Sequence, residues 1–229
     1  MKGKRIVICL LFILCFFKTY SYISVSPILF DKRIDNGGAV QEYYITNTLA
    51  NKISYRIYLE EGKNDMSKWI EFYPKNLVLE AGATGKIKLF IEAPEEQQTG
   101  EYTAILGIKE INTPNIEREG NLSIYTNLKI EIAGFIGDLK PKLKIENLKL
   151  ENNSISMEIE NTGQIRTKAE VFLKNKNKEE YLGSIRLLKA TKKLFSTKHS
   201  SEVQKGSKIE IRDLEGELIK SLDLRRENE

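Results

Sequence analysis

Residues Gly120 to Ile132 read G-N-L-S-I-Y-T-N-L-K-I-E-I, an unbroken alternation that leaves the backbone little choice. Side chains alternate faces in an extended strand, so Leu122, Ile124, Thr126, Leu128, Ile130 and Ile132 share one side. Asn121, Ser123, Tyr125, Asn127, Lys129 and Glu131 take the other. The run predicts one long half-buried strand, well above the usual length of about five or six residues. Such a strand can serve one domain with its first half and lead into a second with the rest. It reads either as an ordinary sandwich strand or, more sharply, as one that lends its residues to another protein.

The chain has 229 residues, room for one large or two small domains, each with a buried core. Its start stands apart. Met1 to Arg5 is basic, Ile6 to Phe17 is an unbroken apolar run, and Thr19-Tyr20-Ser21 places small residues where a signal peptidase needs them. Residues 1–21 therefore read as a secretory signal peptide cut after Ser21. The apolar run is shorter than the ~20 residues of a comfortable membrane span, and an uncleaved anchor is the other reading. Leu14 before Cys15 argues against a lipoprotein.

Both cysteines, Cys9 and Cys15, fall within that segment, so the exported chain has no disulfide, thiolate nucleophile or cysteine metal site. Lys2, Lys4, Arg5 and Lys18 fall there too, which leaves 32 basic residues against 32 acidic ones. That balance gives no electrostatic case for nucleic acid. Charge is uneven along the rest: residues 22–137 hold 12 basic and 16 acidic residues, residues 138–229 hold 20 and 16.

From Tyr22 onward short strands alternate with turn signals. Ile23 to Phe30 is a first strand interrupted by Pro27, which cannot donate to a ladder and belongs at an edge or a strand switch. Gln41 to Asn47, Lys52 to Glu60, Trp69 to Phe72, Leu77 to Leu79, Lys86 to Glu92 and Tyr102 to Ile108 follow. Strands at about ten-residue spacing predict an antiparallel sandwich. Gly134 to Pro141 breaks the pattern and is taken as the boundary between domains 22–137 and 138–229. The second domain is expected to be all-β and more polar, with strands at Leu143 to Leu150, Ser154 to Glu160, Ala169 to Leu173, Tyr181 to Ile185, Ser207 to Ile211 and Glu217 to Leu222.

Chemistry-bearing patterns are few. His199 stands alone in a polar stretch, with no second His or Cys to complete a zinc site. Neither a G-x-S-x-G elbow nor a phosphate-cradling glycine loop occurs. The adjacent carboxylates Glu60-Glu61, Glu95-Glu96 and Glu179-Glu180 point apart on strands or sit solvated in loops. Trp69, the sole tryptophan, opens an apolar strand and is expected in the core rather than as a sugar platform. The expectation is a β module that binds something, without enzyme activity, cofactor or metal.

In order along the chain, several segments resemble the first domain of the periplasmic pilus chaperone (PapD-like) family. Trp69 to Pro74 followed by Leu77 to Gly82 is similar to that family's P-x-x-x-x-L-x-P-G strand and turn. Lys86 to Leu89 resembles its next strand, and Ile105 to Ile111 its N-L-R-E-I-P segment. The Gly120 to Ile132 run resembles the donor strand, and the second domain matches loosely through Asn161-Thr162-Gly163. The resemblance implies two immunoglobulin-like β-sandwich domains and a chaperone that caps surface-fibre subunits by lending them a strand. Leu122, Ile124 and Thr126 would then be the subunit-binding positions, and Lys129 the cleft lysine that anchors the subunit's C-terminal carboxylate. A fibre subunit is the implied partner, an outer-membrane usher a further one, and the periplasm the implied compartment. One departure stands out: where the family has an arginine on its first strand, this chain reads Pro27-Ile28-Leu29, with Lys32 and Arg33 out of register. The competing expectation is an exported surface binding or scaffold protein that recognises ligands with its loops.

Overall fold

The computed structural model describes residues 23–111, 125–151, 153–176, 178–204 and 206–224. The expected signal peptide (1–21) and the donor-strand positions Leu122 and Ile124 lie outside the described residues.

Pro27 sets how the first unit begins. Strand β1 (Ile23–Ser26) stops before it, and β2 (Asp31–Arg33) resumes in a different sheet, the switch that a residue without an N–H allows. There follow β3 (Ala39–Asn47), β4 (Ile53–Glu61), β5 (Ile70–Tyr73), β6 (Asn76–Leu79), β7 (Thr84–Ile91), β8 (Gly100–Ile111) and β9 (Asn127–Ile136). They form a four-stranded sheet in the order β1-β3-β7-β5 and a five-stranded sheet in the order β2-β9-β8-β4-β6. This is the immunoglobulin distribution of strands, with the first strand divided between the sheets. Alternate residues supply the core. Tyr43, Ile45, Ile87, Leu89 and Ile91 from one sheet, and Tyr55, Ile57, Leu106, Ile108, Ile130 and Ile132 from the other, are all buried.

The second unit repeats the plan. Its strands are β10 (Leu143–Glu151), β11 (Ser154–Asn161), β12 (Thr167–Lys174), β13 (Glu179–Leu187), β14 (Lys192–Lys198), β15 (Lys208–Arg212) and β16 (Leu218–Asp223). They assemble as β10-β11-β14 and β13-β12-β15-β16. Ile155, Met157, Ile159 and Phe195 from the first of these sheets pack with Val171, Leu173, Leu187, Ile209 and Ile211 from the second. The chain is thus all-β, with two immunoglobulin-like sandwiches. The backbone divides between Gly134 and Phe135, and residues 94–101 belong with the second unit.

Each unit is pinned by the same device. β3 ends at Asn47, whose buried amide nitrogen donates to the carbonyls of Asn51, Leu79 and Glu80 at 2.8, 3.1 and 3.1 Å. β11 ends at Asn161, equally buried, which donates to the carbonyl of Ile165 at 2.7 Å and accepts from the Gly163 N–H at 2.9 Å. Both are followed by threonine. In each case one amide satisfies loop backbone groups that burial would otherwise leave costly.

Three local expectations need correction. Gly134 does not break the pattern: β9 runs through it to Ile136, and Ile34 fills the space, its Cδ1 lying 2.4 Å from where a Cβ would stand. Trp69 is half-buried rather than core, closing a single 3-10 turn (Ser67–Trp69) with its ring 4.8 Å from that of Tyr102. Strand β14 was hidden in a polar stretch because Phe195 is its only buried side chain, while neighbouring Leu194 is 70% exposed. A single buried residue has no period.

Candidate functional site

The described part of the organising run keeps its alternation. Thr126 and Leu128 are half-buried and Ile130 and Ile132 buried, while Asn127, Lys129 and Glu131 are exposed. Among the described residues the strand starts at Asn127, with Tyr125 and Thr126 leading into it outside the strand, while Gly120 to Ile124 lie outside the described residues. Thr126 is nevertheless fixed to β8. Its carbonyl accepts from the Glu110 N–H at 2.8 Å, and its own N–H donates to Glu110 Oε2 at 3.0 Å. Because pairing alternates along a strand, the backbone groups of Asn127 and Lys129 face the opposite edge of β9. There the neighbour is β2, with three residues against the ten of β9.

On the outward face, two side chains of β9 reach across β8 to β4. Tyr58 Oη donates to Asn127 Oδ1 at 2.8 Å, and Lys129 Nζ donates to Glu60 Oε2 at 2.8 Å. Strands two places apart are separated by about 9.6 Å, so these contacts must pass over the strand between them. Tyr58 does so at Gly107, with which it is paired; a Cβ there would lie 2.2 Å from Tyr58 Cζ. The glycine is a saddle that the tyrosine ring occupies. Lys129 and Glu60 are 48% and 36% exposed at the side chain, an ion pair open to solvent. The hydrogen bond to Glu60 raises the Lys129 pKa above its ordinary value, against a smaller opposing effect of desolvation.

Of the residues that the sequence singles out, Thr126 is half-buried just before β9 and Lys129 lies on the exposed face of β9, so the two point to opposite sides. The two basic residues near the missing first-strand arginine are engaged elsewhere: Lys32 Nζ donates to the Val40 carbonyl at 2.7 Å, and Arg33 to Asp35 at 2.5 and 3.0 Å. His199 Nδ1 lies 2.8 Å from the Ser201 carbonyl oxygen, at the end of β14. Tyr58, Glu60, Gly107 and Asn127 were not foreseen. The available signal was Gly107, an isolated glycine inside the apolar run Ile105-Leu106-Gly107-Ile108, which marks a close approach. Among the described residues, no group of three or more His, Cys, Asp or Glu is placed to hold a metal ion. No helix among them is long and apolar enough to cross a membrane.

No family model and no curated protein matches the chain. Solved structures do. The chain is similar to the YadV chaperone, with 13% identity over 89% of this chain and 100% of that one, at a TM-score of 0.48. The SafB chaperone of Salmonella enterica, solved with the SafA pilin, is 15% identical over 90% and 97% at a TM-score of 0.46. The CsuC–CsuE chaperone–tip subunit complex of Acinetobacter baumannii gives 14% identity over 89% and 97%, at a TM-score of 0.44.

Proposed function

We propose that this protein is an exported, periplasmic chaperone for surface-fibre subunits, and that it caps them by lending a strand. Residues 1–21 would direct export, and domains 22–137 and 138–229 would form the working molecule. One observation carries the reading: the outer edge of the ten-residue β9 has only the three-residue β2 beside it among the described residues. That edge offers main-chain hydrogen bonds to an incoming chain, the essential requirement of strand addition.

The chemistry follows from what an incomplete sandwich lacks. A subunit without its last strand exposes an apolar groove and unpaired backbone groups, which invite aggregation. In the sequence, Thr126 and Leu128 continue the alternation of Leu122 and Ile124, whose side chains would fill the groove. Burying Leu122 and Ile124 contributes roughly 1.5 to 3 kcal/mol each, before the cost of ordering the partners. Lys129 would hold the subunit's C-terminal carboxylate, without help from a first-strand arginine. The function requires no catalytic group.

Crosslinking pull-downs of the exported protein from its native envelope test this, wild type against Leu122→Glu/Ile124→Glu, with recovered proteins identified by mass spectrometry. Small β-rich fibre subunits recovered with wild type alone are the expected result. The same partners recovered with both proteins would refute strand donation and favour a loop-based surface binder.

A further inference from the structure

We propose that Glu60 is a built-in competitor at Lys129, which a partner's carboxylate must displace; this rests on the reading of Lys129 as a carboxylate anchor. The two residues lie 69 positions apart in sequence and on strands that are not neighbours, yet the Nζ–Oε2 distance is 2.8 Å. Beside this contact Gly107 makes room for the Tyr58 ring, and Tyr58, hydrogen-bonded to Asn127, spans the same middle strand. The lysine head is thus already held on a carboxylate before any partner arrives.

Exchange of one carboxylate for another is chemically easy here. Lysine presents a compact charge with three donors and no fixed fork, so it accepts carboxylates from different directions. Both side chains are partly exposed, so a displaced Glu60 returns to water rather than staying buried. An exposed pair of this kind is weak, which keeps the exchange reversible. The device makes the anchor selective: a neutral chain end gains nothing from Lys129, because it cannot replace Glu60.

The test uses two synthetic peptides of alternating valine and serine, identical except for a free C-terminal carboxylate or a carboxamide. Their affinities for wild type, E60Q and K129Q are measured by calorimetry, with thermal unfolding as a check on folding. We expect wild type to prefer the acid, E60Q to bind the acid about two- to fivefold tighter with the amide unchanged, and K129Q to lose the preference. If K129Q loses it but E60Q binds the acid no tighter than wild type, the competitor is overturned and the anchor stands. If K129Q keeps the preference, or wild type shows none, the anchor reading itself fails. Failure of wild type and E60Q to bind either peptide overturns both.

Discussion

Gly107→Ala separates the account from ordinary strand energetics because the two predict opposite signs. Replacing a glycine in a strand interior normally stabilises by about 0.5 to 1 kcal/mol, since alanine has less backbone freedom to lose. Here the new Cβ would stand 2.2, 2.4 and 2.6 Å from Cζ, Cε1 and Cε2 of Tyr58. Contacting carbons prefer about 3.5 to 4 Å, so the ring must retreat by more than about 1 Å. That displacement costs roughly 1 to 3 kcal/mol in overpacking, and loss of the Tyr58–Asn127 hydrogen bond roughly another 1. The net expectation is destabilisation by about 2 kcal/mol, read as a lower urea midpoint with an unchanged slope. In a Tyr58→Ala background the clash disappears, and the same Gly107→Ala change should stabilise by about 0.5 kcal/mol. A stabilising Gly107→Ala in the otherwise wild-type protein would refute the saddle.

Other outcomes follow from other sites. Arg166 is buried and holds Glu101 through its backbone N–H at 2.7 Å, Nε at 3.0 Å and Nη2 at 2.7 Å. Arg166→Met should therefore cost about 3 kcal/mol in urea unfolding, and Arg166→Met/Glu101→Leu should recover part of that loss. Ala190 has φ of +55° in the turn before β14. Ala190→Gly should raise the thermal midpoint slightly, by the equivalent of about 0.5 to 1 kcal/mol. Burial holds the Tyr55 hydroxyl pKa up at about 12 and pushes that of Tyr43 up as well, above the ordinary 10.0. Folded-state values above the unfolded one mean stability is fully present below pH 10 and falls as pH rises through that window. Tyr43 Oη is buried with no hydrogen-bond partner among the described residues, so Tyr43→Phe should be neutral or stabilising and should flatten the alkaline loss in a pH series of melts.

How much of this was legible depends on whether the information is local. The alternation from Thr126 to Ile132 survives in the structure because one face is buried and the other wet, which a period of two records directly. Pro27 likewise announced a strand switch through its own chemistry. Strand β14 was illegible because it is an edge strand with one buried residue, and Lys192, Lys193 and Lys198 make it look like a loop. Gly134 misled because its need is imposed by Ile34, a hundred residues earlier. The same holds for the site. Lys129 could be singled out only through the resemblance of its strand to the pilus-chaperone donor strand, and its partner Glu60 is 69 residues away and meets it only through the sheet order β9-β8-β4. Neither propensity nor motif encodes that meeting.

The central claim is that β9 pairs with another protein's chain along its outer edge. Amide hydrogen exchange on the complex with a captured fibre subunit tests it most directly, read at Asn127 and Lys129, whose backbone N–H groups face that edge. Strand addition predicts slower exchange at both amides on capture, and no such protection with Leu122→Glu/Ile124→Glu. Capture that leaves both amides exchanging as in the free protein would contradict the account.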